Sequence, residues 1–406
     1  MQSNNSSPAS AAKTIKIRSF IKGEFVLFAS LLCAIVSSFF CPPSVDYLGY
    51  IDWNVLSLLM CLMLTVEGFT SIGFFTIIAN KVTKSIHHFT ILVLMLVLLP
   101  FIVAMLVTND VALIAFVPFA ITILVKMDRK ALIIPVVVLQ TISANLGSMA
   151  TPIGNPQNLF VFTKYELSIG QFASVVLPFI PLGVALLVIV TSLIVLYNNR
   201  TRKEKAIVAS NSLPQLQTQS PVQSTADDAA LSKMPISRVI VYTLLFVLCI
   251  LSVVRVVDYF ITWAIVLIAF FIVDRKLIIR IDWCLLLTFI CFFIFSGNIG
   301  NIEVIKSFVV SLMQKNVFFC SLGLSQVISN VPAAILLSGF TDNWRDLILG
   351  ADIGGLGTPI ASLASLISLK IYMKMKDSRP GRYILCFLAL NALFLIVFIA
   401  IAVLHG

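Results

Sequence analysis

Charge is what this chain has least of. Only 11% of its 406 residues are Asp, Glu, Lys or Arg, and only three are His. A soluble domain is about a quarter charged, so a soluble fold of this length would have too little polar surface to cover its core. The eight cysteines (Cys33, Cys41, Cys61, Cys249, Cys284, Cys291, Cys320 and Cys386) show no CxxC or Cys/His spacing. That argues against a disulfide scaffold or a zinc site, and they read as small buried hydrophobes. No P-loop, nucleophile elbow or His-rich motif occurs, which disfavours an enzyme and ATP-driven transport by this chain alone. Strict apolar/polar alternation is also missing, which argues against a β-barrel.

Hydrophobic residues, by contrast, make up 59% of the chain, and the mean hydropathy is +1.05. Lipid leaves bare backbone groups without partners, so spans must be helices of roughly 20 apolar residues. Apolar runs fall at about 25–41, 53–69, 89–125, 131–163, 170–197, 237–253, 259–273, 282–300, 316–340, 347–368 and 383–404. They predict an all-α polytopic membrane protein with no cofactor. The first run follows a Ser/Asn/Ala-rich tail but no small-x-small cleavage site follows it, so it reads as a retained span. The expected order is a tail (1–24), a first repeat (25–197), a flexible Gln/Ser/Pro/Thr-rich linker (198–236), a linking helix (237–256) and a second repeat (257–406). Together these contain about nine spans and two hairpins.

The net charge of +10 sits in short loops between apolar runs, a distribution that reads as topology and lipid contact and not as a nucleic-acid footprint. Starting with the tail inside, 23 of the 28 Lys and Arg fall in cytoplasmic segments. Only Lys164, Arg255, Lys306, Lys315 and Arg345 fall outside them. The N-terminus is therefore expected in the cytoplasm and the C-terminus outside.

The halves repeat each other. Ile51-Asp52-Trp53 recurs as Ile281-Asp282-Trp283, and Thr108-Asn109-Asp110 faces Ser329-Asn330-Val331. Residues 144–159 align without gaps on 351–366, with six of sixteen positions identical. The extra span at 237–253 gives the second copy the opposite orientation, an inverted repeat of the kind common in secondary transporters.

Two kinds of segment carry chemistry. SANLGSMATPIGNPQN (143–158) places two Gly and two Pro inside an apolar run, and 351–366 carries Gly354, Gly355, Gly357 and Pro359. A regular helix cannot continue through such residues, and unwound backbone at membrane depth needs protein or a wet cavity around it. The alternative for one break alone is a packing kink. The tripeptides at 108–110 and 329–331 read as N-caps at hairpin tips, whether or not they also bind a ligand. All four segments aim helix N-termini, which favour anions, at one midplane region. No Lys or Arg lies within 89–125 or 131–163. The candidate binding residues are Thr108, Asn109, Asp110, Asn145, Thr151, Asn155, Asn158, Ser329, Asn330, Asp352, Thr358 and Ser362. Freed carbonyls suit Na⁺, with Asn109, Asp110, Asn330 and Asp352 as candidate ligands. Either acid can ligate Na⁺ or carry a proton, and Asp110 reads equally well as an ionised N-cap.

TNDVALIAFVPF (108–119), GSMATPIGNPQN (147–158), SNVPAAILL (329–337) and GGLGTPIASLAS (354–365) resemble, in this order, the ion transporter superfamily. That group holds divalent-anion/sodium symporters, citrate transporters, arsenite permeases and one class of sodium/proton antiporters. The resemblance runs from about 25 to 404 and is nearest to small citrate-transporter-like permeases of bacterial inner membranes. It implies a homodimer in which a transport domain moves a small anionic substrate, such as a di- or tricarboxylate, by an elevator mechanism coupled to Na⁺ or H⁺. It places one site at Thr108, Asn109, Asn155 and Asn158 and a second at Ser329, Asn330, Thr358 and Ser362. Dicarboxylate symporters carry Ser-Asn-Thr at both tips. Asp110 and Val331 depart from that, and Asp110 is closer to the arsenite permeases. An arsenite-like oxyanion efflux carrier or a Na⁺/H⁺ antiporter is the alternative expectation.

Overall fold

The computed structural model describes residues 25–84, 86, 88–210 and 235–405; the tail (1–24) and most of the linker lie outside the described residues. Its helices are α1 (Phe25–Phe40), α2 (Asp46–Tyr50), α3 (Trp53–Ser71), α4 (Phe74–Lys84), α5 (Phe89–Ala104), α6 (Asn109–Lys126), α7 (Ile133–Ser148), α8 (Pro156–Lys164), α9 (Ile169–Val176) and α10 (Phe179–Ser210). There follow α11 (Ile236–Val253), α12 (Tyr259–Arg280), α13 (Trp283–Gly300), α14 (Glu303–Lys315), α15 (Val317–Ile328), α16 (Asn330–Leu337), α17 (Trp344–Gly354), α18 (Leu363–Met373) and α19 (Pro380–His405). No strand occurs among the described residues. The helix α10 continues through Ser210, well past the point where the linker was expected to begin.

Seven helices among the described residues are long and apolar enough to cross a bilayer, or eight if the bent pair α14 and α15 counts as one span. The sequence suggested about nine. At about 1.5 Å per residue, the 16-residue α1 is short for a span. The helix α12 is interrupted at Asp274 by an extended residue. The helices α17 and α18 are two halves of 11 residues each. Conversely α6, assigned to a hairpin, is itself 18 residues long. Two helices escaped the hydropathy reading because polar residues interrupt them: α4, and α14, which turns 118° into α15 and exposes Val304, Phe308 and Leu312 four residues apart.

The repeat is present in atomic detail. Asp52 caps α3 by accepting from Val55 N (3.0 Å), and Trp53 Nε1 donates to Leu48 O (3.2 Å). Asp282 caps α13 through Leu285 N (2.9 Å), and Trp283 Nε1 donates to Ile278 O (3.0 Å). Packing obeys the same exchange of halves. The helix α1 packs on α13 as α12 packs on α3; α5 packs on α7 as α15 on α17; α6 on α18 as α16 on α8. Two packing groups result. One is α1, α3, α11, α12 and α13, and the other is α5 to α8, α10 and α15 to α19. They meet chiefly where α3 touches α8 and α13 touches α16.

Glycine sets how closely each hairpin sits on its broken helix. A Cβ on Gly147 in α7 would collide with the backbone carbonyl of Phe101 in α5. At the equivalent Gly354 in α17 a Cβ would lie 2.8 Å from Ser325 Cβ and 3.1 Å from Leu322 Cα in α15. Small residues at such crossings let helix backbones approach closely. Gly147→Ala meets backbone that no rotamer change can move, so it is expected to destabilise the fold by about 1–3 kcal/mol. Thermal melting in detergent reads this out, with Gly323→Ala as control because nothing lies within 4 Å of its Cβ position.

Candidate substrate and ion site

Both predicted breaks are present and narrower than expected. The helix α7 persists to Ser148 and α8 starts at Pro156; α17 persists to Gly354 and α18 starts at Leu363. The residues before the two restarts adopt nearly the same backbone, Asn155 at φ −139°, ψ 147° and Ser362 at φ −140°, ψ 137°.

Side chains take over the backbone groups that each break releases, as burial in lipid demands. Asn158 Nδ2 donates to the carbonyls of Ser148 (3.2 Å), Met149 (3.4 Å) and Thr151 (3.3 Å). The hydroxyl of Thr151 donates to Met105 O at the first hairpin turn (2.6 Å). The equivalent Thr358 hydroxyl donates to Gln326 O at the second (3.0 Å). Gln326 Nε2 donates to Gly354 O (2.6 Å) and Leu356 O (3.3 Å), while its Oε1 accepts from Thr358 N (2.9 Å).

At the centre, Asn145 joins the halves. Its Oδ1 accepts from Asn109 Nδ2 of the first hairpin (2.9 Å) and from Ser362 Oγ of the second break (3.1 Å). Its Nδ2 donates to Gly355 O (3.3 Å). Beside it, Gln157 Nε2 of α8 donates to Asp352 Oδ1 of α17 (3.0 Å). Asn109, Asn145, Asn155, Asn158, Ser329, Asn330, Asp352 and Ser362 are all buried.

Two expectations need correction. Thr108 and Ser329 occupy the N-cap positions of α6 and α16, but neither side chain makes a capping bond. Instead Ser329 Oγ donates to Ala361 O (3.3 Å), and Asn330 Oδ1 accepts from Val331 N (2.9 Å). Ser329 sits at φ 81°, where a non-glycine residue is strained, so its hydroxyl is aimed by tip geometry and not by helix capping. Nor does Asp110 cap α6. Its Oδ1 is buried without a hydrogen-bond partner among the described residues. No hydrogen bond among the described residues joins it to Asn109, Asn330 or Asp352.

Residue types that cap well are used differently here than elsewhere. Six helices begin at Asp, Asn or Ser residues whose side chains cap them: α3, α9, α12, α13, α15 and α17. The four that begin at the breaks and hairpin tips start at Thr108, Asn155, Ser329 and Ser362. These are residue types that cap well, yet none makes a side-chain cap bond. A cavity of about 590 Å³ lies between the two packing groups, lined by Asp52, Asn54, Phe160, Lys164, Ser296 and Ser338 among others. Lys164 Nζ donates there to Ser338 Oγ (2.8 Å), tying the far ends of α8 and α16 together.

Replacing Asn145 by Ala leaves the Asn109 amide and the Ser362 hydroxyl without an acceptor in a buried site. Unsatisfied buried groups cost about 1–3 kcal/mol each. The variant is expected to melt clearly below wild type in detergent, and Asn145→Asp, which keeps the acceptor, to melt above Asn145→Ala.

The same arrangement has relatives. A family model described as citrate transporter matches residues 21–342. An uncharacterized transporter of Methanocaldococcus jannaschii, MJ0456, is 29% identical over 391 residues, 96% of this chain and 99% of that protein. The inner membrane protein YbiR of Escherichia coli is 28% identical over 367 residues, 86% of this chain and 88% of that protein. The P protein of Homo sapiens matches only 129 residues, 15% of its own length, at 29% identity. With most of its length matched by one family model and its helices arranged as a polytopic bundle, the chain belongs to the citrate transporter family.

Proposed function

We propose that this membrane transporter is a secondary active carrier for a small organic anion, a di- or tricarboxylate, coupled to Na⁺ or H⁺. The observation that carries the reading is the pair of helix starts that meet at Asn145, those of α6 and α18, neither closed by a side-chain cap and neither with Lys or Arg in its first turn. A helix N-terminus presents about half a positive charge and free N–H donors, and an anion is the ligand that matches them. Amide and hydroxyl groups of Asn109, Asn155, Ser329, Asn330 and Ser362 add neutral donors. The seam between the two packing groups supports a sliding, elevator-type movement of the hairpins and broken helices against α1, α3, α12 and α13. The family relationship supports a homodimer in a bacterial inner membrane, and the basic loops support a cytoplasmic N-terminus.

Counterflow of labelled citrate, succinate and malate into proteoliposomes, under Na⁺ and pH gradients in turn, tests the reading. Saturable exchange of at least one acid is expected, and no exchange of any of them under either gradient overturns it. Ser362→Asp puts a carboxylate where the substrate anion is proposed to bind, and self-caps α18. A mismatched group in a binding pocket typically costs ~1–3 kcal/mol, so KM for the exchanged acid is expected to rise at least tenfold. Because the substitution also removes the hydroxyl that donates to Asn145 Oδ1, the melting temperature is expected to fall below wild type.

A further inference from the structure

The two copies of the central site are not equivalent in charge. Asn145 and Asp352 occupy matching positions in the repeat, and Gln157 matches Ala364. On the Asn145 side, amide oxygen and amide nitrogen are both satisfied by protein groups. On the Asp352 side they are not. Asp352 is 5% exposed and Gln157 1%. Their single bond, Gln157 Nε2 to Asp352 Oδ1 at 3.0 Å, leaves Asp352 Oδ2 and Gln157 Oε1 both buried and without a hydrogen-bond partner among the described residues. The neighbouring Asn158 carries in its Oδ1 a third buried acceptor without a donor among the described residues.

A carboxylic acid and a primary amide pair in a ring. The amide N–H donates to one carboxyl oxygen, and the acid O–H donates to the amide oxygen. The observed bond is one side of that ring, and the two orphaned oxygens are the atoms of the other. Two acceptors cannot satisfy each other, but one proton on Asp352 satisfies both. Among the described residues no lysine or arginine is ion-paired with Asp352, so no basic side chain offsets the desolvation of an ionised carboxylate here. The helices packed on α17 are α8, α9, α15, α16 and α19. Their described titratable side chains are Lys164, Cys320, Arg382, Tyr383 and Cys386, with Arg345 and Asp346 on the first turn of α17 itself. Among the described side chains, the hydrogen bond to the Asp352 carboxyl comes from Gln157 Nε2.

We propose that Asp352 and Gln157 form a one-proton site, closed as an acid–amide ring, and that one proton bound there accompanies each transported anion. The inference rests on the carrier reading above and narrows its coupling ion. The proton breaks its bond to bulk hydronium, or to a water entering the opened site, and forms an O–H bond on Oδ2. It returns to water on the other side when the ring opens. Asn145, uncharged and fully bonded, supplies no second ion site.

Infrared difference spectroscopy of the reconstituted protein, without substrate, tests the ring independently of transport. A protonated carboxylic acid C=O band is expected in wild type near neutral pH. It should be absent in Asp352→Asn and shifted to the position of a free acid in Gln157→Leu. Asp352→Asn preserves the ring with an amide in place of the acid, so it is expected to fold. Absence of the band in wild type, or its persistence in Asp352→Asn, overturns the proposal even if an acid is transported. Accumulation of whichever acid exchanges, with the membrane potential clamped by K⁺ and valinomycin, gives the second reading. One proton per anion predicts about tenfold accumulation per pH unit, the same in Na⁺ and K⁺, and none in Asp352→Asn. A Na⁺ requirement, or a hundredfold gradient, overturns the proposal.

Discussion

A helix interrupted inside a bilayer releases carbonyl and amide groups that lipid cannot bond, and the rest of this structure follows from how those groups are satisfied. Asn158 gathers three carbonyls of the first break. Gln326 gathers two of the second and holds Thr358 N in return. The hydroxyls of Thr151 and Thr358 fasten each break to a hairpin turn. The bonds of Gln326, Thr151 and Thr358 form only if a hairpin lies directly against the break. Satisfying the backbone therefore also positions the hairpin tips.

The amides that remain face the centre. Six helices elsewhere are closed by Asp, Asn or Ser side chains; at the four central starts the residue types are right but no side-chain cap bond forms. Ser362 bonds Asn145 across the molecule, and Asn330 bonds the amide of Val331 next to it. On the proposed carrier reading, helix starts without neighbouring lysine or arginine would be a neutral receptor for negative charge, and would release an anion more readily than a salt bridge does.

Much of this could be read in the residues. The matching of 144–159 with 351–366 located both breaks and the register between them, because Gly and Pro at membrane depth admit few structures. Asn109, Asn145 and Ser362 were singled out as polar groups in apolar surroundings, and the fold brings those three together. Gln157 and Gln326 were overlooked although both lie in or beside the motifs. Sequence shows that a side chain is polar, not how far it reaches, and a glutamine one turn from a break reads as another loop residue. Capping by Thr108, Ser329 and Asp110 was the natural local expectation, and tertiary partners displaced it for Ser329, whose hydroxyl goes to Ala361 O. The amphipathic α4 and α14 were missed because their polar faces broke the hydropathy signal that revealed the spans.

The contacts at Gly147 and Gly354 bear on how such a molecule can move. The first hairpin meets its broken helix backbone to backbone at Gly147, and at Gly354 only the short Ser325 side chain and the Leu322 backbone lie against the helix. A hairpin cannot swing away like a flap on a compliant hinge, since its base has no slack. Access to the centre is thus left to the looser seam between the two packing groups, where a cavity already exists. On the proposed carrier reading, hairpin and broken helix would move as one stiff piston head, and opening the site would displace the whole of it.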